Sequence, residues 1–355
     1  MPCRRTTEPA PHRRQGRAKG PILSAALLLV GSAAMSATAV AEDTPAGTYT
    51  FQFENDLFYG ADRHYTNGAR LSWVSPPNDK GFDPLSGLLK LLRLNHEGST
   101  RRGFALAQEI YTPADRRRTD LIDDDRPYAG WLYLATSRHT ETAGSGGFKR
   151  KLDSVELDFG IVGPHAYGKE TQDYVHDLRV IDRFDGWHHQ LRDEPGVVLM
   201  YERKWRDDPR PAFPKSLEMD VVPHVGGSIG NVLSHVNVGG AVRYGHNVPE
   251  DFGPPSLMKG MRTLDSHQND GGYSLYAFAG AEARLVAWNI FLDGNTFRDS
   301  HRVDKEALVA DLSIGLAYEY GCFKIAYTSV LRSREFQGQA DNSRFGSLSV
   351  SWRFP

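Results

Sequence analysis

The last residues of the chain alternate strictly: Leu348, Val350, Trp352 and Phe354 are separated by Ser347, Ser349, Ser351 and Arg353. A period of two sends one set to each face of a β-strand. An apolar face backed by serine and arginine suits a wall between lipid and a polar interior. The same period recurs near 48–54, 68–75, 102–111, 129–140, 152–163, 196–206, 216–229, 234–246, 272–290, 305–319, 322–332 and 345–354. That makes twelve strands, an even number as in bacterial barrels, and many of them are long enough to cross a bilayer. Aromatics near strand ends, Tyr49, Trp73, Trp131, Tyr133, Trp205 and Trp352, fit interfacial girdles. A soluble β-sandwich also alternates, but strand length and these aromatics favour the barrel. The expected fold is all-β: an antiparallel transmembrane β-barrel of about twelve strands, with a short helix in an outer loop.

The beginning of the chain follows another pattern. Residues 1–20 hold five arginines and one lysine, with Glu8 the only acid; an apolar run, Ile22 to Val30, and Ala39-Val40-Ala41 follow. These are the three parts of a secretory signal peptide, expected to be cleaved after Ala41. The expected division is 1–41 signal peptide and 42–355 outer-membrane barrel, located in the outer membrane of a Gram-negative cell. No later stretch approaches the roughly 18 apolar residues of a membrane helix. The mean hydropathy of −0.47 is compatible with a barrel, because only alternate residues face lipid. A net charge of −2 argues against generic nucleic-acid binding. Two cysteines, Cys3 and Cys322, give neither a disulfide scaffold nor a Cys-ligated zinc site.

With both termini periplasmic, the connections 55–67, 112–128 and 164–195 open outward. Two inner connections, 76–101 and 247–271, are longer than inner turns usually are. Between Lys169 and Asp182, Tyr174, Val175, Leu178, Val180 and Ile181 recur at three- and four-residue spacings. After Gly163-Pro164 and before Gly186, this reads as a short helix.

Three polar clusters share the outer rim. Asn55 and Asp56 sit where one strand ends, and Thr66 sits where the next begins, so their side chains can converge; Asn, Asp and Gly are also ordinary turn formers. Arg116, Arg117 and Arg118 can meet lipid phosphates, or be a solvated run balanced by Asp115, Asp120 and Asp123 to Asp125. Gln172 and His176, four apart, share one helical face, and histidine suits proton transfer near neutrality. His165, His188 and His189 lie in the same loop, so composition alone does not choose among them.

Several ordered pieces resemble the outer-membrane lipid A 3′-O-deacylase family. They are Asn55-Asp56, Tyr65-Thr66-x-Gly68, Ala107-Gln108-x-Ile110-Tyr111-x-Pro113, Asp125-Arg126, and Gly160-Ile161-Val162-Gly163-Pro164 with Gly168, Glu170, Gln172 and His176. The resemblance implies an active site between the barrel wall and the loop helix. It implies that Asn55, Asp56, Thr66, Gln172 and His176 are the functional residues of a calcium-dependent ester hydrolysis acting on lipopolysaccharide. The family's lysine in the second outer loop falls near Arg118, which keeps the charge but not the compact ammonium.

On that reading His176 is the general base for water, and Ca2+ is held by Asp56 and Asn55; a hard cation prefers such oxygens. Ser228 in Gly226-Gly227-Ser228-Ile229-Gly230 matches the spacing of a serine-esterase elbow, but alternation resumes by Val236, so a hairpin turn is expected. The competing readings are an outer-membrane phospholipase and a non-enzymatic pore or adhesin. The expected partners are lipopolysaccharide and outer-membrane lipids, with no nucleic acid and a monomeric barrel.

Overall fold

The computed structural model describes residues 47–56, 64–92, 94, 97–180, 182–214, 216–253 and 272–354. The expected signal peptide, 1–41, lies outside the described residues. In chain order the strands are β1 (Gly47–Asn55), β2 (His64–Val74), β3 (Ser99–Thr112), β4 (Ala129–Ala143), β5 (Arg150–Val162), β6 (Glu194–Arg206), β7 (Arg210–Pro211), β8 (Glu218–Gly230), β9 (Leu233–His246), β10 (Tyr273–Asn289), β11 (Leu308–Tyr320), β12 (Phe323–Arg332) and β13 (Ser343–Phe354). Among the described residues, three α-helices lie between them: α1 (Ser86–Leu91), α2 (Gly168–Arg179) and α3 (Ile290–Asp293).

Each wall strand pairs antiparallel with its neighbours, and the ladder closes twice over. β1 meets β13 from Gly47↔Phe354 to Asn55↔Gly346, and β6 meets β8 from Val198↔Gly230 to Lys204↔His224. β7 is a two-residue arm on β8, so twelve strands form a closed wall. Closure leaves no strand edge to lipid, which a bilayer core requires. No described helix is long and apolar enough to cross a membrane.

Alternation then sorts the side chains. Ser347, Ser349 and Ser351 are buried in the interior, while Phe51, Leu71, Leu134, Phe159, Leu312 and Trp352 stand exposed on the outside. Trp131 and Tyr133 depart from the expected girdle. They have the inward parity of β4, opposite to Leu134, and stack on each other at 5.1 Å inside the wall.

The interior is filled and paired. Asp311 Oδ1 accepts from Arg332 Nε at 2.9 Å, and Asp311 Oδ2 from Arg284 Nη2 at 2.6 Å; Arg70 pairs with Glu156 at 2.8 Å. Buried charges persist only when partnered in this way. Both mouths are stoppered. At the rim opposite the termini, Ile290 and Phe291 of α3 enter an apolar cluster with Tyr65, Tyr111, Trp131 and Phe345, and Phe291 stacks on Tyr111 at 4.0 Å. The Asn289 side chain caps α3 by accepting from the Phe291 N–H at 3.1 Å.

At the other rim, Val248, Asp251 and Phe252 turn inward and are buried. Asp251 pairs with Arg243 and, at 2.7 Å, with Lys324, while Arg243 also holds Asp220. Part of the long 247–271 connection is therefore an inner stopper, and the other long inner connection carries α1.

Arg243→Met should cost about 3–5 kcal/mol, since it strands two buried carboxylates. The urea midpoint of the heat-modifiable band in micelles reads this out. An unchanged midpoint would mean that the ion cluster does not hold the inner mouth.

Candidate functional site

At the outer rim the register sets four residues side by side. Asn55 of β1 pairs with Asn67 of β2, Asn67 with Ile110 of β3, and Ile110 with Gly130 of β4. They share the outward parity of Phe51, Leu71, Leu106 and Leu134. Lower on the wall this face meets lipid; here it carries two amides and is buried. Just beyond the row, the pairing of β2 with β3 slips between Tyr65 and Asn67. Thr66 is the inserted residue, as in a β-bulge, and its side chain lies outside the described residues. Asp56 follows Asn55 and is buried.

The third outer loop covers the β3–β4 end of the row. The Gln108 side-chain amide, also on the outward face of β3, donates to the Ala166 carbonyl at 2.6 Å. Ile110 packs in a cluster with Tyr128, Phe184 and Trp187. Two glycines let α2 lie flat on the wall: a Cβ on Gly130 would stand 3.1 Å from the Ala166 Cβ and 3.2 Å from the Gly168 Cα. α2 covers 168–179 rather than extending to 182, because Val180 turns into the left-handed region at φ 58°.

The polarity of α2 is inverted relative to a helix on a soluble core. Gln172 and His176 face inward and are 3% and 1% exposed, whereas Tyr174 and Leu178 are 66% and 54% exposed. The Gln172 Oε1 accepts from the Trp187 indole N–H at 2.8 Å. That bond fixes the amide, and its Nε2 is a buried donor without an acceptor among the described residues. The His176 Nδ1 lies 2.7 Å from the Asp182 carbonyl oxygen. A carbonyl can only accept, so Nδ1 carries the proton and Nε2 of the neutral ring keeps its lone pair. The ring also lies 5.7 Å from that of Phe184, which joins His176 to the cluster over Ile110.

Of the expected site residues, Asn55, Asp56, Gln172 and His176 are therefore buried on the outer-rim side of the β1–β4 wall. Arg118 stands apart at the solvent edge, where its guanidinium pairs with Asp120. Its loop is stitched to the third loop through the backbone: the Asp185 N–H donates to the Arg116 carbonyl at 3.0 Å, and the His189 Nε2 to the Thr119 carbonyl at 3.1 Å.

Asp125-Arg126 ties loops together rather than lining the row. Arg126 is buried against Tyr111 and Phe336 and pairs with Glu335 at 3.1 Å, and the Asp125 carbonyl accepts from His301 Nε2 at 2.7 Å. Burial pushes the Asp125 carboxyl above the usual carboxylate range, against the Ala114 and Arg126 N–H groups that bind it. The Ser228 Oγ donates to the Leu233 carbonyl at 3.0 Å, beside a turn at Asn231 and Val232. The hydroxyl also lies 2.8 Å from His235 Nδ1, and Ser228 closes a strand into a hairpin, as the spacing predicts.

Two residues of this corner were not singled out from the sequence. Trp187 orients Gln172, and nothing in its spacing marks it. Asn67 has a buried Oδ1 with no donor among the described residues. Its place beside Asn55 follows from register alone. No group of three or more His, Cys, Asp or Glu side chains among the described residues forms a metal cage. A hard cation here would draw on Asn and backbone oxygens as well, and the Asn67 Oδ1 is an oxygen of that kind.

The family model described as outer membrane protein LpxR matches residues 23–354. The chain belongs to the LpxR family. It is an outer-membrane protein of this family, and its wall is similar to that of LpxR from Salmonella typhimurium, with a TM-score of 0.68 and 19% identity over 86% of this chain and all of that one. The β domain of the Bordetella autotransporter BrkA matches 88% of this chain and all of that one, with a TM-score of 0.42 and 9% identity. No curated protein matches the chain in sequence.

Gly130→Val should lift the helix from the wall of this LpxR-family barrel. Carbethoxylation of the His176 peptide and tryptic cleavage after Arg179 should then both rise while the barrel stays heat-modifiable. Unchanged reactivity would mean that the glycine contact does not seat α2.

Proposed function

We propose that the chain is a lipid A deacylase that hydrolyses an ester-linked acyl chain from lipopolysaccharide in the outer leaflet. The observation that carries this reading is the inverted helix: α2 buries a base and an amide against the wall and turns Tyr174 and Leu178 outward. Such a face suits acyl chains as neighbours. The stoppered lumen argues against a pore.

Water is the nucleophile on this reading. The His176 Nε2 takes a water proton as the oxygen attacks the ester carbonyl carbon, and the proton passes to the leaving sugar or acyl hydroxyl oxygen. A free fatty acid and an alcohol result. The Gln172 Nε2, aimed by Trp187, is a donor ready for the carbonyl oxygen as it gains charge. Thr66 helps position substrate or water. Asp56 and Asn55, with the Asn67 Oδ1, would hold Ca2+, which supplies a positive centre near that oxygen when bound. Arg118, with Arg116 and Arg117, remains the candidate for lipid A phosphates, in exchange for its bond to Asp120.

Mass spectrometry of lipid A from expressing cells should show loss of one acyl chain, abolished by His176→Ala or Asp56→Ala with barrel folding intact. With purified protein, a chelator should stop release and calcium restore it. Gln172→Glu keeps an acceptor for Trp187 but loses the donor, and should cut the rate roughly 10²–10³-fold. Full activity in the His176 or Asp56 variant would sink the mechanism. Release of acyl chains from glycerophospholipid instead of lipid A would favour the phospholipase reading.

A further inference from the structure

The inner connection between β2 and β3 runs sideways along the outside of the wall, and its contacts follow strand order. At β3, Arg102 pairs with Asp79 and donates to the Phe82 carbonyl. At β4, Arg138 reaches Asp83 at 2.8 Å. At β5 and β6, Leu85 and Leu89 of the α1 segment bury against Val155, with Leu157, Leu199 and Tyr201 beside them. Arg102, Arg138, Val155 and Tyr201 are successive register partners. All four have the outward parity of Phe104, Leu134, Phe159 and Val197. The leucines at 85, 88 and 89 lie on one side of the short helix and grip the wall.

The place it grips is where the outer surface changes from apolar to polar. Toward the outer rim the same strands expose Leu134, Phe159 and Val197. Toward the inner rim, Asp153 pairs with Arg203 at 2.6 Å and accepts from the Tyr201 hydroxyl at 2.6 Å. Between these zones the segment leaves Phe82 and Leu91 78% and 79% exposed, with Leu92 nearby and Lys80 and Lys90 at the surface. Apolar side chains alternating with lysines at a water–lipid boundary are the pattern of an interfacial segment.

We propose that residues 79–92 are an interfacial anchor seated in the phospholipid leaflet at the rim that carries the termini. Phe82, Leu91 and Leu92 enter the upper acyl region, and Lys80 and Lys90 meet lipid phosphates. The argument for lipid as the occupant is continuity: the exposed apolar side chains extend the lipid-facing wall over the helix that covers it. The anchor is independent of any chemistry at the outer rim.

The test uses a nitroxide at Leu91→Cys in a Cys322→Ser chain, folded into phosphatidylcholine–phosphatidylglycerol vesicles. Phe159→Cys on the mid-wall and Ser145→Cys in the β4–β5 turn serve as lipid and water references. The ratio of oxygen to nickel-complex collision rates at 91 should be several-fold above that at 145 and below that at 159. A ratio equal to that at 145 overturns the proposal. So does protection from both reagents with spin–spin broadening between chains, which would place a second copy on this face.

Discussion

Closure of the backbone ladder is the constraint from which the rest of the molecule follows. In a bilayer core every N–H and C=O must find a partner within the protein, and a sheet does this only by joining its own edges. The β1–β13 and β6–β8 pairings do so here. Once the ring is shut, the fate of each side chain is decided by parity. One set must tolerate lipid and the other must share a confined interior. The second requirement explains the paired interior charges, for Arg243, Arg332 and Asp311 have no bulk water to fall back on.

Parity also creates a difficulty at each rim, and the two rims meet it alike. Near the outer ends of β1 to β3, the outward set includes Asn55, Asn67 and Gln108; lower down, it includes Arg102 and Arg138. None of these can face acyl chains unpaired at modest cost. Loop segments cross the outside of the wall and meet several of them: Ala166 takes the Gln108 amide, and Asp79 and Asp83 take the two arginines. Both segments bring a helix and present apolar side chains outward. The two differ in what they keep beneath: ion pairs and leucines under α1, a histidine and an amide with an unused donor under α2.

The sequence made the wall legible because a closed sheet enforces its period on every strand. The expected strand limits differ from the observed ones by a few residues, and the helix begins within a residue of its expected start. What alternation alone could not show is which face is which near a rim. Trp131 and Tyr133 read as girdle aromatics because an aromatic near a strand end fits either face, and only pairing with neighbours resolves it. The apolar spacing in α2 was visible, but periodicity carries no sign. Tyr174 and Leu178 could equally have been the buried stripe.

The same limit applies to the candidate corner. Asn55, Asp56, Gln172 and His176 stood out through resemblance, whereas Asn67 did not, being one turn-forming residue among several. Its position follows from the unbroken register of β1 with β2, which gives it the outward parity of Leu71; the slip at Thr66 then turns Tyr65 inward, opposite Tyr111. A bulge at the rim thus leaves an amide on the outside beside Asn55 and returns the next aromatic, Tyr65, to the lumen. On the proposed reading, that register completes the oxygen-rich side of the corner, and the fixed tautomer of His176 supplies the basic side. The flat seat at Gly130 and Gly168 holds α2 against β4. A one-residue shift of β2 in the ladder would turn Asn67 inward, away from Asn55, because register sets what a closed sheet presents as firmly as residue type does.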